Sequence, residues 1–173
     1  MTIRKAAIKW GGNDADLVGP EIQVGQKAPD FWVIDNDQKP VTLADTAGKV
    51  RVFASVPSLD TGICDRETRR FNEEASQLPG VAIHVISMDL PFAQKRWCGA
   101  AGVDKVGTLS DHRKASFGEA WGVLEPNRRL LARAVWVVDA NDVVRHVEYT
   151  KTPGDEPNYA ALLEAVRGVA GVS

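Results

Sequence analysis

An α/β fold built on a central mixed sheet is the architecture this sequence predicts, on three observations. Residues 50–56 and Val81–Ser87 are mostly apolar runs of the kind buried central strands show, and each is followed by a segment with helical signals. The stretch from Arg133 to Tyr149 reads as an antiparallel hairpin around Asn141-Asp142. A closing helix follows the breakers Pro153-Gly154 and Pro157. Strand, helix, strand, helix, hairpin and helix is the order of a sheet with helices on its faces.

From the N-terminus, Gly11-Gly12-Asn13-Asp14 is a turn signal between Ile3–Trp10 and residues 17–24, which predicts a hairpin extension over residues 1–24 as an added edge. Gln26-Lys27-Ala28-Pro29 leads into Phe31-Trp32-Val33-Ile34, the turn Asp35-Asn36-Asp37 and the run Val41-Thr42-Leu43, a second antiparallel pair. Pro57 ends the strand at 50–56. The amphipathic run over residues 66–78 places Phe71, Ala75 and Leu78 at i, i+4 and i+7, with Arg66, Arg69, Arg70, Glu73 and Glu74 elsewhere, and Pro79-Gly80 stops it. Asp89-Leu90-Pro91 opens a helix to about Cys98, which Gly99 and Gly102 end. Residues 106–109 predict a short strand, 114–121 a short helix and 158–169 the last helix. The plan is that of a thioredoxin-like core. With no internal repeat, low-complexity tract or linker, residues 1–173 read as one domain.

Composition supports a globular chain, with 44% apolar and 25% charged residues. The net charge of -2 and the dispersal of 21 basic residues argue against nucleic acid or a membrane surface as partner, and towards small molecules or proteins. Arg4, Lys5 and Lys9 interrupt the first ten residues, so no secretory apolar region is present there. No apolar run approaches the ~20 residues of a membrane span. A cytoplasmic location is expected. Two cysteines in this length make a disulfide scaffold a poor reading and leave a redox or catalytic role open.

Thr61-Gly62-Ile63-Cys64-Asp65 is the most informative segment, because it puts a thiol in what reads as the first turn of a helix. Unpaired backbone N–H groups and the helix dipole favour negative charge there, and the thiolate is the reactive form of cysteine. Cys64 is therefore a candidate nucleophile, with a small buried hydrophobe as the alternative. Cys98 reads as lying near a helix C-terminus, where the dipole opposes a thiolate although Lys95 and Arg96 offset it. Cys98 either resolves an oxidised Cys64 or simply packs its helix. The 33 residues between the cysteines, with His84, His112 and His146 scattered singly, lack the paired spacings of a zinc site. A cysteine hydrolase would need a histidine base, and His84 and His146 sit in strand patterns where a satisfied sheet histidine accounts for them. There is no C-x-x-C.

The stretch Ser55-Val56-Pro57-Ser58-Leu59-Asp60-Thr61-Gly62-Ile63-Cys64-Asp65, followed by Thr68-Arg69-Arg70-Phe71-Asn72-Glu73-Glu74-Ala75, resembles the active-site segment of bacterial thiol peroxidases, the Tpx branch of the peroxiredoxins. Asp89-Leu90-Pro91-Phe92-Ala93-Gln94-Lys95-Arg96-Trp97-Cys98-Gly99 is similar to that branch's resolving-cysteine helix, and Leu131-Ala132-Arg133-Ala134-Val135 to its arginine strand. The likeness runs from about Gly25 to the last helix; the N-terminal hairpin matches only in outline, and Trp121 stands where the pattern has tyrosine. The resemblance implies a thioredoxin-like fold and a cofactor-free peroxidase of the atypical two-cysteine type. In it Cys64 attacks a hydrogen peroxide or organic hydroperoxide and becomes sulfenic acid, which Cys98 resolves as an intramolecular disulfide. It also implies that Thr61 orients the peroxide, where the sequence alone equally makes Thr61 a helix N-cap. Pro57 would shield the site and Arg133 would stabilise the thiolate and the leaving oxygen. A thioredoxin-like reductant and a homodimer are implied as partners, and local unwinding must bring Cys64 to Cys98. A redox-sensing interaction module using the same thiol pair is the alternative function.

Overall fold

The computed structural model, which describes residues 2–75, 77–102 and 105–171, has two sheets with four α-helices among the described residues. In chain order the elements are β1 (Ile3–Trp10), β2 (Asn13–Val18), β3 (Trp32–Ile34), β4 (Pro40–Thr42), β5 (Val50–Ser55), α1 (Gly62–Ala75), β6 (Val81–Ser87) and α2 (Pro91–Ala101). Then follow β7 (Gly107–Ser110), α3 (Ser116–Ala120), β8 (Leu124–Glu125), β9 (Leu130–Leu131), β10 (Ala134–Val138), β11 (Val144–Tyr149) and α4 (Tyr159–Ala170). The central sheet runs β11-β10-β5-β6-β7-β3-β4. The β5, β6 and β7 strands are parallel, and β10 and β3 flank them antiparallel, which makes the sheet mixed as expected.

Both faces of this sheet are covered, which is why β5 and β10 read as continuous apolar runs rather than alternating ones. On one face Val52, Ala54, Val135 and Val137 pack with Phe71 of α1 and with Leu162 and Val166 of α4. Ser76 and the side chain of Ala75, the latter expected on the same stripe, lie outside the described residues. On the other face an aromatic cluster gathers Phe31, Phe53, Phe117, Trp121 and Trp136. Phe117 and Trp121 stack at 4.7 Å, and Trp121 meets Trp136 edge-on at 5.1 Å. Trp121, fully buried, satisfies its indole N–H on the Pro29 carbonyl at 3.1 Å, so the departure from tyrosine is absorbed by the core.

The N-terminal hairpin differs from the sequence expectation in two ways. Its second strand is Asn13–Val18, not residues 17–24, because Gly11 and Gly12, with φ of 61° and 83°, make the whole turn and let Trp10 pair directly with Asn13. It also adds no edge to the central sheet. Val18 pairs with Leu124, and β1-β2-β8-β9 form a second sheet through strands of two residues, too short to show a period. This sheet docks where the chain leaving β2 crosses the turn after α3. Gly122 there has φ of 71°, and a Cβ on it would lie 2.1 Å from the Pro20 carbonyl oxygen. We expect Gly122→Ala to cost about 2–4 kcal/mol in urea unfolding, from left-handed strain plus backbone overlap; a loss near zero would show that this crossing is not tightly packed.

Candidate active site

Parallel strand β5 delivers the chain to the site. Beyond its last residue the Val56 N–H still bonds the Ile86 carbonyl at 3.0 Å, and the buried Pro57 then bends the chain into a turn over residues 58–61. Thr61 starts α1 as its cap: its hydroxyl oxygen accepts the Cys64 N–H at 3.3 Å and its carbonyl accepts the Asp65 N–H at 2.9 Å. The cap places Cys64 at the third helical position, inside the first turn. Thr61 is exposed, whereas Cys64 is fully buried beside Val56, Leu59 and Phe71.

Arg133 reaches this point through sheet pairing. It immediately precedes β10, whose Ala134 lies opposite Ser55 at the end of β5, so the guanidinium arrives at the start of α1. Its Nη2 donates to Cys64 Sγ at 2.9 Å, and Nε and Nη2 both donate to the Pro153 carbonyl, at 3.2 and 3.1 Å. Nη1 donates to Glu67 Oε2 in a salt bridge. The ion pair is buried, with Arg133 1% exposed and Glu67 0%. Burial pulls the Arg133 pKa down, but the charges of Glu67 and Cys64 outweigh it and the net direction is upward. Burial pushes the Glu67 carboxyl up to about 7 against the pull of Arg133.

Glu67 was not singled out from sequence. The signal was present: Cys64, Glu67, Thr68 and Phe71 stand at i, i+3, i+4 and i+7, which makes Glu67 a charge on the buried stripe of α1. Thr68 uses the same stripe, and its hydroxyl donates to the Cys64 carbonyl at 2.8 Å.

Cys98 lies in α2, one turn from its end. The helix continues through Gly99 to Ala101, and only Gly102, left-handed at φ 68°, caps it by donating its N–H to the Cys98 carbonyl. Cys98 is half-buried, its sulfur 3.4 Å from Thr108 Oγ1 on β7. Both cysteines are free thiols with separate partners.

Their neighbours, however, bond each other. Trp97 Nε1 donates to Asp65 Oδ1 at 2.9 Å, Arg69 Nε donates to Asp65 Oδ2 at 2.8 Å, and Arg69 Nη1 donates to the Ala101 carbonyl at 3.1 Å. Asp89, just before α2, accepts from Ser58 Oγ at 2.7 Å and from the Leu59 N–H at 2.8 Å, which ties the loop before Cys64 to the start of α2. A cavity of about 240 Å³ lies between these segments, lined by Leu59, Asp60, Asp89, Ala93, Arg96 and Trp97 among others.

The sulfurs of Cys64 and Cys98 are bonded to Arg133 and Thr108, not to His84 or His146. His84 stacks on Phe53 at 5.4 Å, and burial, with Arg51 and Lys49 nearby, holds its pKa down at about 4. Arg51 and Lys49 stand at the opposite end of β5 from Cys64. Burial lowers the His146 pKa as well. Among the described residues no group of three His, Cys, Asp or Glu side chains could hold a metal ion.

The Redoxin family model matches residues 23–163. A thiol peroxidase of Halalkalibacterium halodurans is 54% identical over 162 residues, covering 94% of this chain and 98% of that protein. The chain belongs to the Redoxin family, in its thiol peroxidase branch. It is a peroxiredoxin-type peroxidase. A second thiol peroxidase, of Bacillus subtilis, is 52% identical over 164 residues, 95% of this chain and 98% of its own length. Among solved structures, a peroxiredoxin-like protein from Aquifex aeolicus superposes with a TM-score of 0.88 at 38% identity, over 96% of this chain and 99% of the other. The Redoxin match begins beyond the β1–β2 hairpin.

The Glu67 carboxyl gives this peroxiredoxin a pH signature. Its pKa rises from 4.5 to about 7 on folding, so between those values the native state binds more protons than the unfolded chain. Stability from this group is present below pH 4.5 and is lost as pH rises through about 7. Glu67→Gln removes the titration, and its unfolding free energy should fall less than the wild type's across that window, by a difference on the order of 1–3 kcal/mol in urea melts. Equal pH slopes in the two proteins would contradict this assignment.

Proposed function

We propose that this enzyme reduces hydrogen peroxide and organic hydroperoxides at Cys64, with Cys98 as the resolving thiol and a thioredoxin-like dithiol protein as reductant. The observation that carries the reading is the Arg133 Nη2 contact to Cys64 Sγ at 2.9 Å within the first turn of α1. It sets a permanent positive charge and the N-terminal dipole against one sulfur, the arrangement that favours an attacking thiolate. Attack on one peroxide oxygen forms an S–O bond and breaks the O–O bond. The second oxygen takes a proton and departs as water or an alcohol, leaving Cys64 as sulfenic acid.

In this mechanism Arg133 also meets the negative charge that develops on the departing oxygen. The Thr61 hydroxyl, at the exposed edge of the same turn, orients the peroxide. Pro57 closes the apolar side of the site against water. Because Cys64 is sealed from solvent, the peroxide enters as residues 58–63 yield. Cys98 then attacks the Cys64 sulfur, a disulfide forms and water leaves. That bond requires Cα atoms within about 7 Å, and in this mechanism the Asp65–Trp97 and Arg69–Ala101 bonds give way as part of either helix unwinds. The dithiol reductant restores both thiols.

The chain is read as one domain over residues 1–173, with residues 1–24 as a hairpin extension, acting as a homodimer in the cytoplasm without nucleic-acid or membrane partners. Among the described residues no helix is long and apolar enough to cross a membrane. Peroxide-dependent oxidation of thioredoxin tests the activity. Cys64→Ser should abolish it, and retained turnover would reject Cys64 as the nucleophile. Arg133→Met should lower kcat/KM for peroxide by about 10²–10³, the usual effect of losing one preorganised donor. Mass spectrometry of protein oxidised with one equivalent of peroxide should show an intramolecular Cys64–Cys98 bond; an intermolecular bond would overturn the resolving assignment.

A further inference from the structure

The two thiols sit in opposite hydrogen-bonding environments. Cys64 Sγ receives a bond from a cation, whereas Cys98 Sγ meets a hydroxyl whose own proton is already used. Thr108, 3% exposed on β7, donates that proton to Asn36 Oδ1 at 2.9 Å, in the turn between β3 and β4. A hydroxyl has one proton and two lone pairs. With the proton on the Asn36 side, the Thr108 oxygen presents a lone pair to Cys98 at 3.4 Å, and the hydrogen between them is the thiol's own. The relay runs from the Cys98 S–H to the Thr108 hydroxyl and on to the Asn36 amide oxygen.

We propose that Thr108, turned by Asn36, is a positioning residue that holds Cys98 as a protonated thiol on β7 until Cys64 has been oxidised. The proposal rests on Cys98 being the resolving thiol. A thiol is a poor nucleophile beside a thiolate, so this half-buried second sulfur does not compete with Cys64 for peroxide. A Cys98 thiolate would have to draw the Thr108 proton away from Asn36 and leave the Asn36 oxygen without it. The bond also anchors the last turn of α2 to β7, which is the part that must travel if Cys98 is to reach Cys64.

On leaving Thr108 the Cys98 thiol gives its proton to solvent, and its sulfur forms the S–S bond as the S–O bond of the Cys64 sulfenic acid breaks. The hydroxide released there takes up a proton and departs as water. Thr108 therefore acts on resolution and not on peroxide attack.

Quench-flow of wild type, Thr108→Val and Thr108→Ser with one equivalent of peroxide, read by alkylation and mass spectrometry, separates the two steps. Thr108→Val keeps the side-chain volume and removes the hydroxyl. It should leave the rate of Cys64 oxidation unchanged and speed Cys64–Cys98 bond formation by about threefold to fivefold, what one weak hydrogen bond is worth. Sulfinic acid at excess peroxide should fall in proportion, because the sulfenic acid lives for less time. Thr108→Ser should restore the wild-type rate. Asn36→Ala reaches the relay from its other end and should also speed the second step, which keeps the test decisive if Thr108→Val does not fold. An unchanged or slower second step in the folded variants, or Thr108→Ser behaving like Thr108→Val, overturns the proposal. A wild type that forms no Cys64–Cys98 bond overturns instead the resolving assignment beneath it.

Discussion

The guanidinium of Arg133 is the constraint around which this site is organised. A cation with 1% of its surface exposed is tolerated only where its donors find acceptors, and here they find three: the Cys64 sulfur, the Glu67 carboxylate and the Pro153 carbonyl. Each acceptor belongs to a different part of the chain. The sulfur and carboxylate come from successive turns of α1, and the carbonyl from the loop that leads to α4. The pairing of Ala134 with Ser55 aims the arginine at all of them. Removing any one acceptor leaves a buried donor facing nothing, so the start of α1, the end of β5 and the loop at 153 hold one another in place.

A second layer of contacts fixes the distance between the thiol-bearing helices. Asp89 grips the loop before Cys64, and Asp65 grips Trp97 and Arg69. These carboxylates lie nearer the surface than Glu67. The contacts around the Cys64 sulfur are thus buried, while those that join the two thiol-bearing helices lie nearer the surface. The resolution step proposed for Cys98 would draw on that difference.

Much of this was legible in the residues. Proline, the Thr61 cap and the apolar run before them located Cys64 at a helix start, because punctuation and capping are local chemistry. The second sheet was not legible: Leu124-Glu125 and Leu130-Leu131 are too short to carry a period, and their pairing with β2 depends on a crossing that only the folded chain makes. The hairpin boundary was displaced because two glycines with positive φ complete a turn that the residue types alone spread over four. Glu67 was hidden by its charge, which reads as a surface residue until the stripe through Cys64 and Phe71 is drawn across it. Arg133 could be matched to a function only through family resemblance, since an arginine before a strand has no local signature.

The bridge from Asp65 to Trp97 has a thermodynamic meaning. It exists with the thiols apart and gives way in the proposed disulfide form, so on that reading the bridge and the disulfide would draw on the same equilibrium from opposite sides. Whatever strengthens the bridge makes the dithiol form more favourable and the proposed disulfide more readily reduced. Under that proposal the reduction potential of the pair would be set partly by an indole and a carboxylate that never touch sulfur, and changes on the outside of two helices would retune it.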